Sequence, residues 1–141
     1  MESTFDRANL QNPALGRSVP KGVTVAFWAV TGLFCLWMSF TAYAQLKVPA
    51  VADAFKELGF PGYFRMELAW AKFLGIAALL FPIPARIKEW AYAGFGIVLV
   101  SAFIAHVSMG QDLAHWVWSV VALVLLGISY LLWNQLRIAR V

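Results

Sequence analysis

The chain has 141 residues, of which 62% are hydrophobic, 16% aromatic and 13% charged. Soluble domains of this size carry roughly 25% charged residues to cover their surface, so these values exclude an ordinary water-soluble fold. The net charge of +4 does not mark a nucleic-acid binder, because the basic residues lie scattered beside apolar segments and form no run or stripe. Anionic lipid headgroups are the expected partner of that charge, and no nucleic acid is expected.

The first apolar segment runs without a charge from Gly22 to Leu46, between Lys21 and Lys47, long enough to cross about 30 Å of hydrocarbon as a helix. Ala42-Tyr43-Ala44 before Gln45 resembles a signal-peptide cleavage site. The long preceding tail with Glu2 and Asp6 favours an uncleaved helix instead. A loop is expected from about Leu46 to Phe64. The second span begins near Arg65 or Met66, contains Glu67 and Lys72, and stops at Phe81-Pro82-Ile83-Pro84, where prolines end helical hydrogen bonding. The third runs from about Glu89 to Met109, before Gly110, and the fourth from about Leu113 to Leu136.

The expected fold is therefore all-α, a four-helix transmembrane bundle running up, down, up and down. Residues 1–22 form a polar tail, 23–136 the membrane domain and 137–141 a basic tail. With the N-terminus inside, Arg7, Arg17, Lys21, Arg86, Lys88, Arg137 and Arg140 face the cytoplasm, against Lys47, Lys56 and Arg65 outside. This bias puts both termini in the cytoplasm. Trp28, Trp90, Trp116, Trp118 and Trp133 lie toward span ends, where indole rings favour the headgroup boundary. The lone Cys35 permits no disulfide or cysteine metal cluster within the chain and reads as a small packing residue.

Alternating spacings of three and four mark two bundle seams. One is Thr24, Trp28, Thr31, Cys35, Met38, Ala42 and Gln45; the other is His115, Ser119, Ala122, Leu126, Ser129 and Trp133. Gly94, Ser101, Ala105 and Ser108 in the third span are small enough for close helix approach. Hairpin connections also gather polar residues at one end: Thr41, Tyr43, Gln45, Glu67, Lys72, His106, Ser108, Asp112 and His115. An ionisable group at membrane depth is costly and marks a functional candidate. Glu67, His106 and Lys72 are thus the candidate catalytic residues, and Tyr43, Gln45, Lys72, His106, Asp112 and His115 the candidates for holding a cofactor or ligand head. Each has a plainer role open to it: a solvated carboxylate at a helix start for Glu67, a snorkelling side chain for Lys72 and an interhelical hydrogen bond for His106. No metal site is assigned, because no HxxxH or ExxH pair shares a helix and Lys72 would repel a cation. Nucleotide-binding and acyl-transfer motifs do not appear.

The stretch Leu58-Gly59-Phe60-Pro61-Gly62-Tyr63-Phe64-Arg65, followed by Glu67, Ala71-Lys72-Phe73-Leu74-Gly75 and Leu79-Leu80-Phe81-Pro82, resembles the DoxX-like family of small four-helix membrane proteins. The likeness continues through Lys88-Glu89-Trp90-Ala91-Tyr92-Ala93-Gly94-Phe95, Ser101-Ala102-Phe103-Ile104-Ala105-His106 and Gly110-Gln111-Asp112. Gln45-Leu46 replaces the usual Lys-Leu, and Asp112 follows Gly110 one residue late. The resemblance implies an inner-membrane bundle with Glu67, Lys72, Glu89, His106 and Asp112 at family-pattern positions. It also implies service to a membrane redox system with a quinone, or assembly of other membrane proteins.

Three functions follow as expectations. The leading one is a multi-pass inner-membrane protein that binds a lipophilic molecule with a polar head, such as a quinone, at the outer mouth of the bundle for an oxidoreductase system. No cofactor is encoded, so electron transfer needs a bound quinone or a partner subunit. The alternatives are a membrane enzyme using Glu67 and His106 as acid and base, with Lys72 stabilising negative charge, and an assembly factor contacting partner helices or a second copy.

Overall fold

The computed structural model describes residues 19–139. The expected 1–22 and 137–141 tails fall partly outside this range, and Arg7, Arg17 and Arg140 of the charge count lie outside it, as do Glu2 and Asp6 of the signal-peptide argument. All described elements are helices: α1 (Lys21–Lys47), α2 (Pro49–Glu57), α3 (Gly62–Leu80), α4 (Ala85–Ser108) and α5 (Leu113–Ala139). The segment expected to be a loop from Leu46 to Phe64 thus contains a nine-residue helix. Pro49 at its first position supplies a preset φ and lacks only an N–H that would have no helical partner. Gly59, at φ 82°, ends the helix in the left-handed region, with its N–H bonded to the Lys56 carbonyl and that of Phe60 to Phe55.

Helix boundaries follow proline and glycine. Pro20 and Pro84 stand just before α1 and α4, while Gly110 follows α4 at φ 63°. α4 starts four residues before the expected Glu89, and α3 starts at Gly62, ahead of Arg65. α5 continues past Leu136 to Ala139, so the start of the expected basic tail is helical.

Three helices, α1, α4 and α5, are long and apolar enough to cross a membrane. α3 is 19 residues long and carries Arg65, Glu67 and Lys72, too many charges to qualify on composition. It is nonetheless packed between spans. α1 contacts α3 and α5, and α4 contacts α3 and α5, so the four long helices form a closed ring, with α2 resting on α1 and α3.

The core lies on the seams that periodicity marks on α1 and α5. Thr31, Cys35, Met38, Ala42 and Gln45 are buried on α1, and Ser119, Ala122, Leu126, Ser129 and Trp133 on α5. Trp28 and His115, at the seam ends, are exposed. Across the ring, Phe34 and Phe95 meet edge to face with centroids 5.2 Å apart.

α4 departs from expectation. Its buried face is Tyr92, Phe95 and Leu99, while Gly94, Ser101 and Ser108 are exposed. The reason is that close approach is provided from the other side, by Gly75 of α3. A Cβ built there would lie 2.7 Å from the Phe95 ring, so bare backbone accommodates the aromatic side chain and the small residues of α4 are left facing outward.

Hydroxyls tie three helices together inside this core. Ser129 Oγ lies 2.6 Å from Thr31 Oγ1 and 2.9 Å from Tyr92 Oη, so polar groups of α1, α4 and α5 satisfy one another away from water. At one end, Arg137 bonds Glu89 at 2.8 Å and lies over the Trp133 ring, joining α5 to α4. Lys88 Nζ donates to the Leu79 carbonyl at 3.2 Å, occupying one of the carbonyls that a helix leaves open at its end.

The contact at Gly75 gives a testable consequence. Gly75→Ala destabilises the bundle by about 1–3 kcal/mol through overpacking, and adding Phe95→Leu recovers part of that loss. Unfolding titrations in detergent micelles check both outcomes.

Candidate functional site

Polar residues converge where α1 ends and α3 begins. Arg65 of α3 donates to the backbone carbonyl of Gln45 near the end of α1, satisfying an acceptor at the negative end of that helix. Seven residues further, Lys72 Nζ donates to Thr41 Oγ1 at 3.3 Å. Thr41 in turn donates to the Met38 carbonyl at 2.9 Å, which leaves its oxygen lone pairs for the ammonium. Between these two bridges Ala42 and Ala69 are fully buried, and their small side chains let α1 and α3 run close together.

Lys72 is 8% exposed, although it is an ammonium. It offers three N–H donors, and its one partner among the described residues is the Thr41 hydroxyl. Ion pairs between described residues include Lys56 with Asp53 and Arg137 with Glu89. Gln45, at 7% exposure, carries a second incompletely satisfied group: its side-chain Oε1 is buried without a hydrogen-bond partner among the described residues.

A recess of about 200 Å³ opens between α3 and α4 beside Lys72. Leu68, Ala71, Gly75, Gly94 and Val98 form much of its wall, with Phe95 and Trp90 also contributing. Lys72 lines this recess, and its ammonium donates to Thr41 of α1.

His106 belongs to a second polar group, at the α4–α5 turn. The left-handed Gly110 turns the chain so that Gln111 N–H bonds the His106 carbonyl at 3.2 Å. The same turn brings Gln111 Oε1 to 2.5 Å from His106 Nδ1, while Gln111 Nε2 faces Met109 Sδ at 3.9 Å. With Oε1 as acceptor, Nδ1 carries the ring hydrogen and Nε2 keeps a lone pair. The His115 ring lies 6.3 Å from that of His106.

The candidate residues therefore divide by position. Lys72 and Gln45 point into the bundle, and His106 is half-buried. Glu67, Tyr43, Asp112 and His115 are exposed. Asp112 directly precedes α5, and its carbonyl accepts from His115 N–H at 2.9 Å; an acid there also complements the positive end of the helix. Among the described residues no three His, Cys, Asp or Glu side chains are grouped to hold a metal. Sequence reasoning missed Thr41 as the lysine's acceptor and Gln111 as the histidine's partner. The signals for them were the polar Thr41 on the inner face and the glycine at 110, which returns the chain over the last turn of α4.

These features define a small all-helical membrane protein with a buried cation and an imidazole among its polar groups. The chain belongs to the DoxX-like family, whose model matches residues 29–129. Comparisons with curated proteins and with solved structures give no match.

If Lys72 is retained for a ligand rather than for the fold, Lys72→Met leaves the bundle as stable as before or more so, since replacing a buried charge by an apolar side chain of similar length is commonly neutral or stabilising. Thermal unfolding in micelles measures this. A loss above about 2 kcal/mol would make the ammonium a structural element instead.

Proposed function

We propose that the protein is a four-span inner-membrane bundle that binds a lipophilic molecule through its polar head, a quinone being the candidate, and serves a membrane oxidoreductase system. The observation that carries this reading is Lys72: a nearly buried ammonium whose partner among the described residues is a single hydroxyl, beside an apolar recess. A charge kept at such a position at a cost of several kcal/mol is a functional signature in a membrane protein.

α3 serves as the fourth crossing in this reading. Its 19 residues extend about 28 Å as a helix, close to the hydrocarbon thickness, and its flanks are covered by α1 and α4. The inward position of Lys72 keeps that charge away from lipid tails. Lys and Arg counts orient both termini toward the cytoplasm, which puts the start of α3 and His106 toward the outer face and Lys72 near mid-depth.

The chemistry suits a quinone head. Lys72 supplies hydrogen-bond donors for a ring carbonyl, while His106, held by Gln111 at the α4–α5 turn, lies in a separate polar group. The protein's part is to bind and orient; a partner subunit exchanges the electrons. The acid–base enzyme is less well supported, because it pairs Glu67 with His106 while Glu67 is exposed on α3.

Titration of the purified protein with a short-chain quinone analogue should give saturable binding, weakened about tenfold, the equivalent of one lost interaction of about 1.4 kcal/mol, by Lys72→Ala. Absence of saturable binding, or binding unchanged in the folded variant, overturns the reading.

A further inference from the structure

The recess between α3 and α4 specifies more about the occupant than a polar head. Its wall is built from Leu68, Ala71, Gly75, Gly94 and Val98. Ala71 and Gly94 are exposed, so the recess opens to the side of the bundle, where a membrane protein meets hydrocarbon. Its volume of about 200 Å³ lies below the roughly 300–1,000 Å³ of sites that enclose drug-sized ligands. That size suits a narrow hydrocarbon segment in a trough better than a pair of acyl chains.

The polar end of the recess is cationic. Lys72 is nine-tenths buried, and one of its three donors is directed at Thr41 over a long 3.3 Å contact. Two donors remain without a partner among the described residues. Glu67, five residues earlier on α3, is exposed on a different face. Arg65, the other cation on this side of α3, adds positive charge and already holds the Gln45 carbonyl. A buried cation lacking a carboxylate is stabilised most by an anion that brings its own acceptors.

We infer that the α3–α4 recess takes a single-chain amphiphile with a carboxylate head, a long-chain fatty acid, whose chain lies along Ala71, Gly75 and Gly94 and whose carboxylate pairs with Lys72. This rests on the lipophile-binding reading above and assigns the head a negative charge. The chain enters sideways from the bilayer, and the head meets Lys72 where that residue lines the recess. No covalent step is involved.

Bromine-labelled stearic acid tests the assignment, because bromine quenches indole fluorescence at short range and Trp90 lines the recess. In nanodiscs of neutral lipid, the acid should quench saturably, and Trp90→Phe should remove a large part of that quenching. The methyl ester, which has the same chain and no charge, should bind about tenfold more weakly, and Lys72→Gln should abolish the difference between acid and ester. Gly94→Leu should block the recess without unfolding the protein, since a side chain there meets no atom within 4 Å at its Cβ. Ala71→Leu provides a second block from the facing helix.

Equal affinity for acid and ester, or an acid preference that survives in Lys72→Gln, overturns the carboxylate assignment. Undiminished quenching in folded Gly94→Leu and Ala71→Leu overturns the location. Displacement of the acid by phosphatidylglycerol at equal mole fraction overturns the single-chain occupant in favour of a bilayer lipid. Saturable binding of the quinone analogue without binding of the acid overturns this inference alone, whereas absence of binding by both overturns the lipophile-binding reading as well.

Discussion

Within hydrocarbon a polar group has no water to fall back on, and this constraint organises the bundle. Each helix satisfies its own backbone, so the remaining demands come from side chains and helix ends. Ser129 meets them in the core by holding Thr31 and Tyr92 at once. Arg65 and Lys88 meet them at the ends of α1 and α3 by donating to carbonyls of those helices. Among the described residues the Lys72 ammonium and the Gln45 amide oxygen are left short of partners.

Packing and polarity are coupled through the shape of α3. Gly75 admits Phe95, and Ala69 lies fully buried near Ala42, so α3 approaches both neighbours closely over much of its length. A helix with three charged residues is thereby held between two apolar ones. The close approach also shapes the recess: with Phe95 seated on Gly75, the outward-facing small residues of α4 are left to form a wall beside Lys72.

Much of this was legible from the order of residues, for reasons that differ by element. The 3.6-residue period reports which side of a helix is buried when polar and small residues recur on it, as on α1 and α5, and there Thr31, Met38, Ser119 and Ser129 fall where the period puts them. On α4 almost every position is apolar, so periodicity carries little information and the small residues drew attention to the wrong face. The helix α2 lies within a segment expected to be a loop; it is short, begins at Pro49 and is ended by Gly59. Lys72 was conspicuous as a charge inside an apolar segment. Its partner Thr41 was not assignable, since a pairing between residues 31 apart depends on how two helices rotate against each other.

The turn at Gly110 reaches further than its size suggests. Left-handed backbone costs a residue with a β-carbon about 1–2 kcal/mol, and relaxing that strain would draw Gln111 away from the imidazole it covers. The tautomer of His106 is in this sense inherited from chain handedness: a residue with no side chain decides which ring nitrogen is engaged and which stays available to a visitor.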